Sequence, residues 1–233
     1  DLAALKRGVF VKKPLEAGHA ISMDNIFLAF PCQEGQLVAS DLSKYNMIQP
    51  IHGLLNENMP IMRKDVTVDN TSQKTLEIMK GLIKLLEESK VVVPVGSICE
   101  LSHHYGLSKF YQTGVAMIEC VNREYCKKIL AVLPGQAHPS HYHVKKEETF
   151  VVLHGELELM LDGGKKLLHK GDVMTVERNV NHSFSSSSGC IFEEISTTHY
   201  QNDSYYKDAK EFVEPRKTKI HFTKNMLAVI NGN

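Results

Sequence analysis

The chain has 233 residues, 42% of them hydrophobic, and its 27 basic and 27 acidic side chains cancel to zero formal charge. Balanced charge offers no basis for capturing nucleic acid or an anionic membrane surface, and no apolar run approaches the roughly 20 residues of a membrane span. Cys32, Cys99, Cys120, Cys126 and Cys190 are odd in number and show no Cys-x-x-Cys spacing, which excludes a disulfide framework or zinc knuckle.

No signal peptide is visible, so a cytoplasmic location is expected. The chain opens on Asp1 rather than Met, which fits a fragment or a processed chain.

Residues 1–68 read as short β segments punctuated by turns: Gly8–Val11, His19–Ser22, Asn25–Phe30 stopped by Pro31, and Pro60–Met62. Ser40–Tyr45 has the look of a short capped helix. From Ser72 to Lys90 the period becomes helical, with Leu76, Met79, Ile83 and Leu86 on one face and Asn70, Thr71 and Ser72 available as caps. Val91–Pro94 is a short β run. His103 and His104 point apart in any regular structure and make a poor chelating pair, so a structural or gating role at a barrel mouth suits them better.

From residue 112 to 198 the pattern is almost entirely β. Strands are expected at 128–133, 149–153, 156–161, 172–176 and 190–196, with turns such as Asp162-Gly163-Gly164 between them. Evenly spaced short strands of this kind predict a closed barrel or jelly roll. The tail from about Tyr200 has little periodicity and is expected to pack over the barrel. The fold class is therefore mainly β: a small domain over 1–68, a helical linker over 69–111, and a barrel with its tail over 112–233.

The chemistry concentrates between Gly135 and Gly155, in GQAHPSHYHVKKEETFVVLHG, and around His182. Alternation along a strand puts His141 and His143 on one face. A carboxylate follows at Glu148, with Glu147 as a rival, and His182 supplies a third imidazole from another strand. Three imidazoles and one carboxylate suit Zn, Ni, Mn or Fe alike and leave coordination positions open for substrate or water.

These residues resemble the cupins. Gly135, His141, His143, Glu148 and Gly155 fit that family's first motif, and Gly171 and His182 fit its second, with Glu177 and Asn179 standing where Pro and Gly are expected. Asn tolerates the left-handed turn that Gly would supply. The resemblance implies a double-stranded β-helix barrel holding a divalent metal on His141, His143, Glu148 and His182.

Within the cupins, His141-Tyr-His143-Val-Lys-Lys146-Glu-Glu148 and the later Glu194-Ile195-Ser196 are similar to D-lyxose isomerase-type sugar isomerases. That likeness implies Lys146 and Glu194 as an acid–base pair, a sugar or sugar derivative as ligand, and isomerase or epimerase chemistry. The alternative is a non-catalytic module for sugar sensing or oligomerisation. A lysine beside a metal is expected to have its pKa lowered by the cation and by burial.

The order KRGVFVKKPLEAGHAIS, NIFLAF, NENMPIMRKDV resembles the antifreeze-like (SAF, β-clip) domain that ends sialic acid synthases. In that family an Arg before a Pro contacts substrate; here Phe30 precedes Pro31, and Arg7 is the nearest basic residue. Together the two domains resemble the C-terminal part of a sialic acid synthase-like protein. The resemblance implies a homodimer and an upstream catalytic barrel that these residues do not include.

Overall fold

The computed structural model of the protein describes residues 6–43, 46–213 and 215–232. Packing divides the chain into two compact units, Asp1–Thr75 and Leu76–Asn233.

The first unit contains two antiparallel pairs. β1 (Gly8–Val11) pairs with β2 (Ile26–Ala29), and β3 (Asn46–Pro50) pairs with β4 (Val66–Asn70). Alternation turns Val9, Val11 and Ile48 inward, where they pack with Leu15, Ile26, Leu37, Leu55, Ile61 and Val66. No strand forms at His19–Ser22; those side chains are largely exposed, and the Ile21 N–H donates to the Ile48 carbonyl of β3. Where a short helix was expected at Ser40–Tyr45, Ala39–Asp41 makes a 3₁₀ turn, and residues 44 and 45 lie outside the described residues.

β4 runs into α1 (Thr71–Ser89), whose start is capped by the Asn70 side chain accepting the Gln73 N–H at 3.0 Å. The buried stripe of α1 is Ile78, Met79, Leu82, Leu85 and Leu86. It is rotated from the expected face, and Leu76 is 53% exposed. The helix packs in the core of the second unit against Cys99, Leu101, Ile118, Ile129 and Ala131.

The second unit is a curled β-sheet. Its strands are β5 (Ile98–Ser102), then, after the single turn of α2 (Phe110–Thr113), β6 (Val115–Asn122), β7 (Tyr125–Val132), β8 (Gln136–Tyr142) and β9 (Glu148–Leu161). There follow β10 (Gly164–His169), β11 (Val173–Val176), β12 (His182–Ser186), β13 (Cys190–Thr197), β14 (Tyr205–Tyr206) and β15 (Lys217–His221), and α3 (Lys224–Asn231) comes last.

The main path of the sheet runs β14-β8-β12-β9-β13-β7-β6-β5-β15, and β10 and β11 also pair with β9. The long β9 takes the place of two expected strands. It carries Gly155 at φ +73°, where an added Cβ would lie 2.1 Å from the Gly189 carbonyl oxygen, so this close crossing requires glycine. Alternation along β7 sorts its residues between two cores: Leu130 and Val132 face the barrel interior with Phe150, Leu159, Phe184 and Phe192, while Ile129 and Ala131 face α1.

Residues 91–94 stay outside the sheet, because the Asn231 side chain takes both the N–H and the carbonyl of Val93. The tail is more ordered than its sequence suggests. β14 and β15 extend the sheet, and α3, capped by Thr223, buries Leu227 and Ile230.

Candidate metal centre

The interior of the curled sheet encloses a cavity of about 290 Å³. His141 lies near the end of β8, His143 just beyond it, Glu148 begins β9, and His182 begins β12. Register places His182 opposite His141 across the β8–β12 pair. One ring nitrogen from each of His141, His143 and His182 lies within 4.8 Å of the others, and all three residues are buried.

Backbone carbonyls fix the tautomers. His141 Nδ1 lies 3.0 Å from the Pro139 oxygen, His143 Nδ1 2.6 Å from the Asp203 oxygen, and His182 Nδ1 3.0 Å from the Val180 oxygen. A carbonyl only accepts, so each Nδ1 carries a proton, and the neutral ring then has its lone pair on Nε2. This is the way metal-ligating imidazoles are oriented by their surroundings.

Glu148 lies beside the triad, with Oε1 3.4 Å from His143 Nε2 and Oε2 3.1 Å from His182 Nε2. Among the described residues, His143 Nε2, His182 Nε2 and Glu148 Oε2 are buried without a hydrogen-bond partner. Buried orphan acceptors of this kind are costly unless a ligand meets them. The histidine triad can hold a metal ion, and the donor set does not select which one. Glu147, the rival carboxylate, is half-buried and pairs with Arg178 at 3.3 Å.

The loop between β8 and β9 is held from two sides. Asp203 accepts N–H bonds from Val144, Lys145 and Lys146 at 2.9 to 3.2 Å. Asn179, in the left-handed conformation at φ +64°, donates its N–H to the His143 carbonyl at 2.7 Å. The Asn in the place of a turn glycine thus makes the turn and anchors the loop.

Lys146 is buried between two carboxylates. Its Nζ contacts Glu148 Oε1 and lies 3.0 Å from Glu194 Oε1, and Lys128 approaches the same Glu194 oxygen at 3.7 Å. Burial would lower the Lys146 pKa, as the sequence suggested, but Glu194 and Glu148 outweigh it and raise the pKa above the usual lysine value. Burial likewise pushes both glutamates up, and the charge of Lys146 wins, holding Glu148 well below and Glu194 below the ordinary carboxylate range.

Lys128 and His138 were not singled out from the sequence. Lys128 carried a signal: it occupies an inward register position on β7, in line with Leu130 and Val132, where a charge needs a partner. That partner is Glu194, its register neighbour on β13. His104 and His138 also line the cavity.

Comparison with known proteins agrees with this architecture. Residues 128–192 match the cupin domain family, and the second unit contains a cupin barrel. Its resemblance within the cupins is to sugar isomerases. A D-lyxose/D-mannose isomerase of Thermosediminibacter oceani is 27% identical over 189 residues, covering 68% of this chain and 97% of that protein. The Geodermatophilus obscurus L-ribose isomerase structure superposes with a TM-score of 0.50 at 14% identity, over 60% of this chain and 94% of that one, a likeness of fold. Quercetin 2,3-dioxygenase of Bacillus subtilis is 41% identical over 54 residues, which span 23% of this chain and 16% of the dioxygenase. No helix among the described residues is long and apolar enough to cross a membrane.

Proposed function

We propose that the cupin barrel is a metal-dependent sugar isomerase that interconverts an aldose and a ketose. The observation that carries this reading is the Lys146–Glu194 ion pair set beside Glu148 and the histidine triad, all facing one cavity. His141, His143, Glu148 and His182 would hold the divalent ion, which when bound supplies Lewis-acid polarisation of the sugar carbonyl. Glu194, ionised and held by two lysines, takes the proton from carbon 2 and returns it to carbon 1. Lys146, protonated, donates to the carbonyl oxygen and recovers a proton from the neighbouring hydroxyl, so the two proton transfers balance. The cavity lies near the lower end of the roughly 300–1,000 Å³ range of small-molecule sites, which suits a monosaccharide.

The test is to incubate metal-loaded protein with D-lyxose, D-mannose, L-ribose and N-acetylmannosamine in heavy water. Deuterium at carbon 2, abolished in Lys146→Ala and Glu194→Gln, supports the reading. Saturable binding with no deuterium uptake across that panel contradicts it.

That second outcome defines the alternative, a sugar-sensing module without turnover. Lys146 clamped between two carboxylates favours it, because a tight ion pair resists the changes of protonation that catalysis needs. We further propose that the first unit is an antifreeze-like domain of a sialic acid synthase-like protein and that the chain works as a homodimer. The order of short strands and turns before residue 68 supports this. Restored condensation on adding the chain to a synthase barrel stripped of its own antifreeze-like domain would bear on it directly.

A further inference from the structure

One wall of the cavity takes no part in the metal set or the ion pairs. Ser102, His104, His138 and Tyr206 line it, and Ser102, His104 and His138 are buried. Buried imidazoles are not needed to close a barrel; leucine or phenylalanine would fill the same space without unmet polar atoms.

The rings are held rigidly. His138 stacks on Phe184 at 4.9 Å, and His104 lies against Tyr206 at 4.4 Å and Phe212 at 4.5 Å. His138 meets His141 edge-on at 5.1 Å, and Tyr206 stacks on His141 at 5.0 Å. This wall therefore begins one ring away from a metal ligand, within reach of a ligand whose other end lies at the triad.

Each histidine spends one nitrogen on a hydroxyl. His104 Nε2 lies 3.2 Å from Ser102 Oγ, and His138 Nε2 lies 3.4 Å from Tyr206 Oη. In both, the buried Nδ1 has no hydrogen-bond partner among the described residues. Hydroxyl partners leave either tautomer available, so each free Nδ1 can present a proton or a lone pair. A ligand hydroxyl both donates and accepts and satisfies either form. A carboxylate or phosphate would have to hold both rings in the Nδ1–H form and an ammonium in the other, whereas a hydroxyl imposes neither.

We infer that His104 and His138 hydrogen-bond the hydroxyls of a neutral polyol chain beyond the end held at the triad, and so set the chain length the cavity prefers. The inference rests on reading the cavity as a sugar site. It assigns substrate recognition to two residues outside the ion-pair and metal sets.

The experiment is calorimetry of Mn²⁺-loaded protein with xylitol, glycerol and D-xylonate, none of which requires turnover. Wild type is expected to bind xylitol about tenfold or more tightly than glycerol. His104→Phe and His138→Phe, which keep an aromatic ring, are each expected to weaken xylitol about three- to tenfold, the worth of one hydrogen bond. Glycerol should change by less than about twofold, since few of its hydroxyls reach the wall. Metal stoichiometry is measured alongside, and His104, which makes no contact with the triad's hydrogen bonds, serves as the second variant if His138→Phe disturbs the ion. Xylitol affinity unchanged in His104→Phe, or D-xylonate binding more tightly than xylitol in wild type and both variants, would overturn the inference. Absence of deuterium exchange would sink the isomerase reading while leaving this one standing.

Discussion

Asp203 accepts the Lys146 backbone N–H at 2.9 Å while its own carbonyl receives His143 Nδ1–H at 2.6 Å. One residue on the segment after β13 therefore positions both a candidate ligand and a candidate proton donor. Replacing Asp203 with Ala removes the acceptor for three consecutive amides. Hydrogen bonds to charged groups contribute about 1.5–3 kcal/mol each in net terms, and the loop will relax in part, so a loss of roughly 2–4 kcal/mol is expected in urea unfolding. Alanine keeps the main-chain carbonyl that receives His143 Nδ1–H, so metal affinity should fall through loosening of the loop alone, by less than the roughly 10- to 100-fold of a lost orienting partner. Unchanged affinity and stability would remove Asp203 from the positioning set.

Lys146 neutralises Glu148 and Glu194 together. Lys146→Met keeps the packing but leaves two buried carboxylates facing one another. Loss of one partner of a buried ion pair costs about 3–5 kcal/mol, which thermal unfolding of the metal-free protein will register. Addition of divalent metal should restore part of the loss, because a cation at the triad replaces the missing charge beside Glu148. A variant as stable as wild type without metal would show that the ion pair contributes little.

Acid should destabilise the second unit through its buried histidines. Burial, then the charges of Arg216, Lys217 and His103, lowers the His104 pKa from 6.5 to about 4. Burial, then Lys128 and Lys146, lowers His199 from 6.5 to about 3. Below pH 6.5 the unfolded chain takes up protons that the folded chain refuses, so stability falls with pH. The loss begins near pH 6.5 and ends near pH 4 for His104 and near pH 3 for His199. Its slope reaches at most about 1.4 kcal/mol per pH unit for each histidine, and less for half-buried His199. Urea midpoints between pH 7.5 and 4 check this, and His199→Phe should flatten the profile.

The fold class was legible because strands advertise themselves locally. Alternation and turn residues placed β11 and β13 within one residue and β7 within three, and the helical period placed α1. The His141/His143 pair was legible for the same reason, since two residues on one strand need no knowledge of the fold. What stayed hidden depends on partners far along the chain. Asp203 is 57 residues from Lys146, and Lys128 meets Glu194 only through the β7–β13 register. His138 reads from sequence as one more histidine in a His-rich strand, and only its stacking on Phe184 and its buried, unpartnered nitrogen set it apart. The face of α1 was misjudged at Leu76 because a helix of intermediate polarity offers two overlapping stripes, and packing against β5–β7 chooses between them.

We propose that His141, His143, Glu148 and His182 hold one divalent ion with room for a ligand. The direct measurement is X-ray absorption with elemental analysis on the loaded protein and on His143→Ala and His182→Ala. The expected result is one equivalent of metal bound by three imidazoles and a carboxylate oxygen, with further light-atom ligands displaced on adding sugar, and substoichiometric metal in both variants. Metal bound equally well by the variants, or a full shell that sugar leaves unaltered, would contradict it.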